Sequence, residues 1–196
     1  MNNEYVLEVL NPRSILKREP PQGITPRPLT LDGKRIAIIP DKPDSDLFLD
    51  MLEKLIYDKY PTAVISRVFI SAFDKPEWAA EQVVGKYDVW IEGVKTAAHW
   101  EIDRMAGLEK AGVPGATIVV GEYLPQRRRL AVANGVPGLR IATVDTEKFF
   151  THGDIPKKVM DIARESFDGI LHALLDPVTE EEANPTPFQY DYSNLR

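Results

Sequence analysis

The feature that most constrains the fold is a regular alternation of short apolar runs with segments of helical periodicity. The five apolar runs lie at 35–40, 63–70, 87–93, 116–120 and 139–144. Helical spacing of apolar residues predicts helices at about 46–60, 76–85, 97–111, 125–134 and 156–175. Continuous apolar runs are typical of strands covered on both faces. The pattern therefore predicts an α/β protein: a flavodoxin-like or Rossmann-like three-layer sandwich around a five-stranded parallel sheet with right-handed crossovers.

Local signals refine the helix boundaries. Ser45 is a predicted N-cap of the first helix, and Pro76 is placed to open the second. Gly112 with Pro114 beyond it is a conventional helix stop. The basic run 127–129 falls on the fourth predicted helix, and we interpret it as a solvated helix face rather than an anion site.

Both ends of the chain differ from this regular pattern. Residues 1–34 contain several prolines and predict an extended N-terminal arm, ahead of an α/β domain at 35–176. Residues 177–196 form a C-terminal tail that is first acidic and then aromatic, with Phe188, Tyr190 and Tyr192. Neither end has enough apolar content for a core of its own. We therefore expect at least one of them to pack across a subunit interface in a homo- or hetero-oligomer.

Composition excludes several classes of function. The net charge of −6 argues against a nucleic-acid partner. No apolar run is long enough to span a bilayer and the N-terminus does not resemble a signal peptide, so we expect no membrane partner and a cytoplasmic location. The chain has no cysteine, which excludes disulfides, thiolate metal sites, cysteine nucleophiles and intrinsic dithiol chemistry.

The predicted fold directs attention to the loops that follow the strands, because open parallel sheets bind ligands beyond the carboxyl ends of their strands. The loop after the third strand supplies Lys95, Thr96 and His99, and Gly93 permits close backbone approach. A cation, a hydroxyl and an imidazole suit acid–base work on a small acid or carbonyl compound. The alternative is structural: Thr96 caps a helix, Lys95 is solvated and His99 packs in the first turn.

Two other loops contribute candidates. Asp41 and Lys42 follow the first strand and are predicted ligand-binding residues. Glu122 follows the fourth strand as a third candidate catalytic residue, beside Tyr123 as a candidate ligand contact. Carboxylates of the first loop suit a hard cation, but more often such residues favour a helix N-terminus, and we predict no metal site. The sequence names no cofactor.

Four segments together resemble a known family. They lie at 9–12 (Val-Leu-Asn-Pro), 31–34 (Leu-Asp-Gly-Lys), 100–114 and 128–139. Their order and spacing resemble the UGSC-type family over about residues 6–175. Its members are named for a selenocysteine or cysteine followed by Gly-Ser-Cys, placed after the third strand. That placement implies kinship with the redox subunits of glycine-reductase-type systems.

The resemblance places the two redox positions at Val94 and Ala97, neither of which can form a thiolate. Three hypotheses follow. The chain is a lyase, hydratase or hydrolase for a small molecule, using His99 and Lys95 with Glu122 or a first-loop aspartate. Alternatively, it is a non-redox structural or regulatory subunit beside a homologous partner that keeps the Cys or selenocysteine motif. In the third hypothesis it binds a small anion without turnover.

Overall fold

A five-stranded parallel sheet with the strand order β2-β1-β3-β4-β5 forms the centre of the computed structural model. The structure describes residues 20–40, 46–71, 74–95, 101–145 and 155–186. The strands are β1 (Arg35–Ile39), β2 (Val64–Arg67), β3 (Val89–Lys95), β4 (Gly115–Val120) and β5 (Ile141–Val144). Every neighbouring pair is parallel. This confirms the predicted sheet, and the strand order is that of flavodoxin-like folds.

Helices cover both faces of the sheet. They are α1 (Leu47–Lys59), α2 (Pro76–Val83), α3 (Ile102–Lys110), α4 (Leu124–Ala133), α5 (Ile155–Leu175) and α6 (Glu180–Ala183), with a 3-10 turn at Gly121–Tyr123. One apolar cluster lies between the sheet and the α1–α5 layer, and a second lies between the sheet and the α2–α3–α4 layer. The three-layer prediction is therefore confirmed.

Helix boundaries follow the predicted local signals with one correction. Asp46, not Ser45, caps α1: its Oδ1 accepts hydrogen bonds from the backbone N–H groups of Phe48 and Leu49 at 3.0 and 3.3 Å. A carboxylate at this position also suits the positive end of the helix dipole. Pro76 opens α2 as predicted. Ser45 and the predicted start of α3 at 97–100 lie outside the described residues.

The described part of the arm runs along the edge where the strands begin. The backbone N–H of Gln22 donates to the carbonyl of Gly135 at 2.7 Å, just past the end of α4. The N–H of Ile24 donates to the carbonyl of Glu182 in α6 at 3.1 Å. Leu31 is completely buried. Residues 20–34 thus pack on their own domain, together with α6, which was not predicted and is held by a capping box between Thr179 and Glu182.

A buried ion pair anchors this arm. Arg27 Nη1 lies 2.6 Å from Glu109 Oε1, and neither side chain has solvent contact. The same carboxylate accepts from the N–H of Gly115 at 3.0 Å and, through Oε2, from that of Thr25 at 3.1 Å. Burial lowers the pKa of Arg27, and the nearby Glu109 carboxylate opposes that effect. One carboxylate therefore joins the arm, the end of α3 and the start of β4.

Two side-chain contacts from α1 protect the outer edge of β2 against pairing with another chain. The backbone N–H of Ile65 donates to the hydroxyl of Tyr57 in α1 at 3.4 Å. Arg67 pairs with Glu53 at 2.6 Å on the same side of the molecule. A charged residue and a side-chain acceptor along an exposed strand disfavour pairing with another chain. Within the described ranges, no helix combines the length and apolar character needed to cross a membrane.

Candidate functional site

The reversal of strand order lies between β1 and β3, which are direct neighbours. β2 lies on one side of β1 and β3 on the other, and the helices that follow β1 and β3, α1 and α3, cover opposite faces of the sheet. These loops carry most of the predicted site. Asp41, Lys42, Thr96 and His99 lie outside the described residues, whereas Lys95 is the last residue of β3.

A β-bulge interrupts β3 immediately before this edge. Glu92 is opposite Thr117 of β4, and Lys95 is opposite Val119, so β3 uses one residue more than β4 between these two pairs. The extra residue lies at Gly93 or Val94. Bulges bend a strand and redirect the residues that follow, and they are common beside active sites. The backbone of Lys95 is thus positioned by an irregularity that the alternation of apolar residues does not reveal.

Beside the bulge lies a buried polar cluster of Glu92, Thr117 and Arg127, on the side of the sheet that α4 covers. All three residues have 0% exposure. Arg127 Nη2 donates to Glu92 Oε2 and, at 3.0 Å, to Thr117 Oγ1. The Thr117 hydroxyl donates to the same Glu92 oxygen. An arginine of α4 and side chains of two central strands therefore share one charged centre inside the domain.

Burying such a centre is energetically expensive. Removing an ion from water into a protein interior costs several kcal/mol even after relaxation, and mutual attraction offsets this only with good geometry. Arg127 Nε and Nη1 are buried and have no hydrogen-bond partner among the described residues. A buried donor without an acceptor costs about 1–3 kcal/mol. Packing alone therefore does not account for an arginine at this position.

Arg127 corrects one sequence-based interpretation. The run 127–129 was predicted to form a solvated face, which is wrong for Arg127 and correct for Arg128 and Arg129, both exposed. The available signal was the spacing along α4. Arg127 lies one turn before Ala131, which is completely buried, so both residues share the face directed at the sheet.

Gly93 and Val94 pack against α1 at the start of the bulge. A Cβ atom on Gly93 would lie 2.9 Å from Leu49 Cδ1, so the glycine admits a close approach of α1. Val94 is buried in the core cluster that also contains Phe48 and Leu49. At the position where the family resemblance implies a redox residue, this chain therefore has an apolar core side chain.

Glu122 and Tyr123 lie in the 3-10 turn that links β4 to α4. Glu122 is exposed, whereas Tyr123 is half-buried and packs against the core cluster on the α1–α5 side. A hydrogen bond with the Glu122 carboxylate raises the pKa of the Tyr123 hydroxyl. The fold thus brings these two predicted residues to the edge where β3 and β4 end.

Metal ligation finds no support among the residues that the structure describes. These include no cluster of three or more His, Asp or Glu side chains suited to hold a cation. Asp46, the third aspartate near the first loop, uses its carboxylate to cap α1. Asp41 and Asp44 lie outside the described ranges.

Comparison with known proteins identifies the family. The family model described as "UGSC family" matches residues 8–176, which is most of the chain. The chain belongs to the UGSC family. No curated protein gives a significant match to this UGSC protein. Among solved structures, the sugar isomerase domain of an RpiR transcription factor from Sphaerobacter thermophilus is similar at 11% identity and a TM-score of 0.40, covering 71% of each chain.

Proposed function

We propose that this UGSC protein is a small-molecule-processing enzyme, or a subunit of one. The proposed reaction is acid–base chemistry of the lyase, hydratase or hydrolase type on a small acid or carbonyl compound. The observation that carries the proposal is the buried Glu92–Thr117–Arg127 centre beside the bulge of β3, the strand that adjoins β1 at the reversal of strand order. Costly buried charge and backbone irregularity together, at the edge where such sheets bind ligands, are typical of functional sites.

The proposed chemistry needs a group that transfers protons near neutral pH. Among the predicted residues only His99 has an ordinary pKa in that range, so we assign it the role of general acid or base. Lys95, at the end of β3, would stabilise negative charge that develops on the substrate. Glu122 is the second proton-transfer candidate, because it follows β4 at the same edge.

A second candidate function follows from Val94. A chain without cysteine supplies no thiolate, and the side chain at this implied redox position belongs to the apolar core. This favours the hypothesis of a non-redox subunit whose homologous partner carries the Cys or selenocysteine motif. The two proposals differ in which species is active. In the first this chain catalyses the reaction itself, and in the second only its complex with the homologous partner does.

The test compares His99→Ala and Lys95→Ala with the unmodified protein. All three are produced in the organism that the protein comes from, so that partner chains are purified with them, and are examined by native mass spectrometry. Turnover of a panel of small hydroxy and keto acids is followed by mass spectrometry of the products. Loss of a general acid or base typically lowers the rate about 100- to 10,000-fold. His172→Ala is the matched control. This exposed histidine lies in the last turn of α5, where it pairs with Asp176, and it is remote from the carboxyl ends of the strands.

The outcomes separate the alternatives. Turnover by the isolated chain that falls in His99→Ala and persists in His172→Ala supports the enzyme proposal. Turnover found only in a complex with a cysteine-containing homologue supports the subunit proposal. If His99→Ala and Lys95→Ala both fold and keep full activity, the acid–base assignment is wrong.

A further inference from the structure

The guanidinium of Arg127 is only partly used by its protein neighbours. It carries five N–H donors, of which Nη2 directs its two to Glu92 and Thr117. The donors on Nε and Nη1 are buried and meet no acceptor among the described residues. Buried polar groups in proteins usually have partners, so these donors are available to an acceptor that a bound ligand supplies.

The place of Arg127 in the fold indicates where that group would enter. Arg127 lies in the first turn of α4, which starts directly after the turn that follows β4. Its partners Glu92 and Thr117 lie on β3 and β4, the two strands that end at the same edge. The guanidinium is therefore buried beside β3 and β4, three residues before each strand ends, and Glu92 and Thr117 hold it in a fixed orientation.

Charge balance limits the kind of group that fits. The Glu92 carboxylate already neutralises Arg127 in a site without solvent contact. A monoanion leaves the site with one excess negative charge, and a phosphate dianion leaves it with about two, at a much greater cost in desolvation. A carboxylate oxygen also accepts the charge-assisted hydrogen bond that a guanidinium N–H donates.

We propose that Arg127 binds the carboxylate of the small-molecule ligand through its Nε–H group, with Glu92 and Thr117 positioning the guanidinium through Nη2. This inference rests on the proposed function for the location of the site and adds to it a substrate class, the monocarboxylic acids. Arg127 is then a binding residue, and Glu92 is a positioning residue whose charge weakens ligand affinity.

The test measures binding without any need for turnover. The full-length chain is titrated with acetate, propionate and glycolate at constant ionic strength, by calorimetry and by the NMR signal of the Arg127 Nε–H group. Saturable binding and a shift of that signal are expected, with phosphate binding more weakly. The matched control is Arg128→Met, which removes the exposed neighbour on the same helix and should leave binding unchanged.

The decisive variant is Glu92→Gln/Arg127→Met, because it removes both buried charges and leaves no uncompensated ion in the core. It should fold and bind the carboxylates about 10- to 100-fold more weakly, the loss expected for a charge-assisted hydrogen bond. Glu92→Gln alone should bind them more tightly than the unmodified chain, whereas a purely structural ion pair predicts no gain.

Unchanged binding in the folded double variant would overturn the proposal, and so would the absence of a saturable response in the unmodified chain. Where the double variant does not fold, the Nε–H signal of the unmodified chain decides alone, and a signal insensitive to all three acids refutes the inference. Carboxylate binding that depends on Arg127 without any turnover would support this inference while refuting the enzyme proposal.

Discussion

Arg27 and Glu109, which are 82 positions apart in the chain, form an ion pair that is completely enclosed by protein. Because Arg27 and Glu109 neutralise each other at this buried site, loss of one partner leaves the other as a buried ion without its main counter-charge. We expect Arg27→Met or Glu109→Gln to lower the free energy of unfolding by about 3–5 kcal/mol. Urea titrations followed by circular dichroism measure this value. Lys54→Ala, which breaks an exposed pair with Asp58, should cost less than about 1 kcal/mol.

The Arg27 result also tests how the arm is attached. If the pair is the main anchor, Arg27→Met should accelerate proteolysis of residues 20–34 before the rest of the domain is cut. A variant that loses global stability without preferential cleavage in the arm would show that the pair belongs to the common core instead.

Two glycines give opposite predictions for the same substitution. Gly93→Ala should destabilise the protein by about 1–3 kcal/mol, because the new methyl group would lie 2.9 Å from Leu49 Cδ1. Gly107→Ala should stabilise it by about 0.5–1 kcal/mol, because Gly107 lies inside α3 with nothing within 4 Å of an added Cβ atom.

Thermal and urea unfolding of both variants provides the comparison. Adding Leu49→Ala to Gly93→Ala should recover part of the loss due to the clash, and the double-mutant cycle isolates that coupling. If the changes in unfolding free energy of the two substitutions were strictly additive, the close approach of α1 to β3 would not be the reason that position 93 requires glycine.

Asp88 predicts a specific pH dependence. A side-chain hydrogen bond from Arg35 is the main cause that lowers the pKa of Asp88 in the folded protein. The folded state therefore binds fewer protons than the unfolded state, which has a pKa of about 3.9. The stabilisation is complete above that value and is lost as the pH falls through the lower folded pKa. Stability between about pH 5 and 2 should fall less steeply in Asp88→Asn than in the unmodified chain.

The aromatic tail gives a prediction about assembly. Deleting residues 184–196 removes Phe188, Tyr190 and Tyr192 but leaves α6 and the contact between Glu182 and Arg140, 2.7 Å apart, in place. We expect a lower oligomeric state or a lower melting temperature, measured by analytical ultracentrifugation and scanning calorimetry. Replacing the three aromatics by serine should have the same effect. An equally stable truncated chain in the same oligomeric state would contradict the prediction.

The sequence predicts the layers of this protein well because its signals for them are local. A β-branched run marks each strand, and turn residues such as Gly112 mark helix ends within a few positions. Capping is less certain, since Ser45 and Asp46 are both good caps and only the geometry selects Asp46.

The candidate site is harder to predict, because its decisive contacts are not local. Glu92 meets Thr117 and Arg127, which are 25 and 35 positions away. An ion pair between a strand and a helix produces no periodic pattern in the sequence. A bulge can be recognised only when the register of β3 against β4 is known. Arg127 was interpreted as part of a solvated face, although its spacing to the buried Ala131 carried the signal for the inner face.

The hydrogen bond from Ile24 to the carbonyl of Glu182 brings two distant parts of the chain into direct contact. The segment from residue 24 to residue 182 therefore begins and ends at nearly the same place in the fold. A short linker between these points would therefore add little loop-closure entropy, and a new chain start could be opened in an exposed turn such as that at Gly85. Such a circular permutant would place both new ends on the side of the molecule where the strands begin, away from the edge of the proposed site.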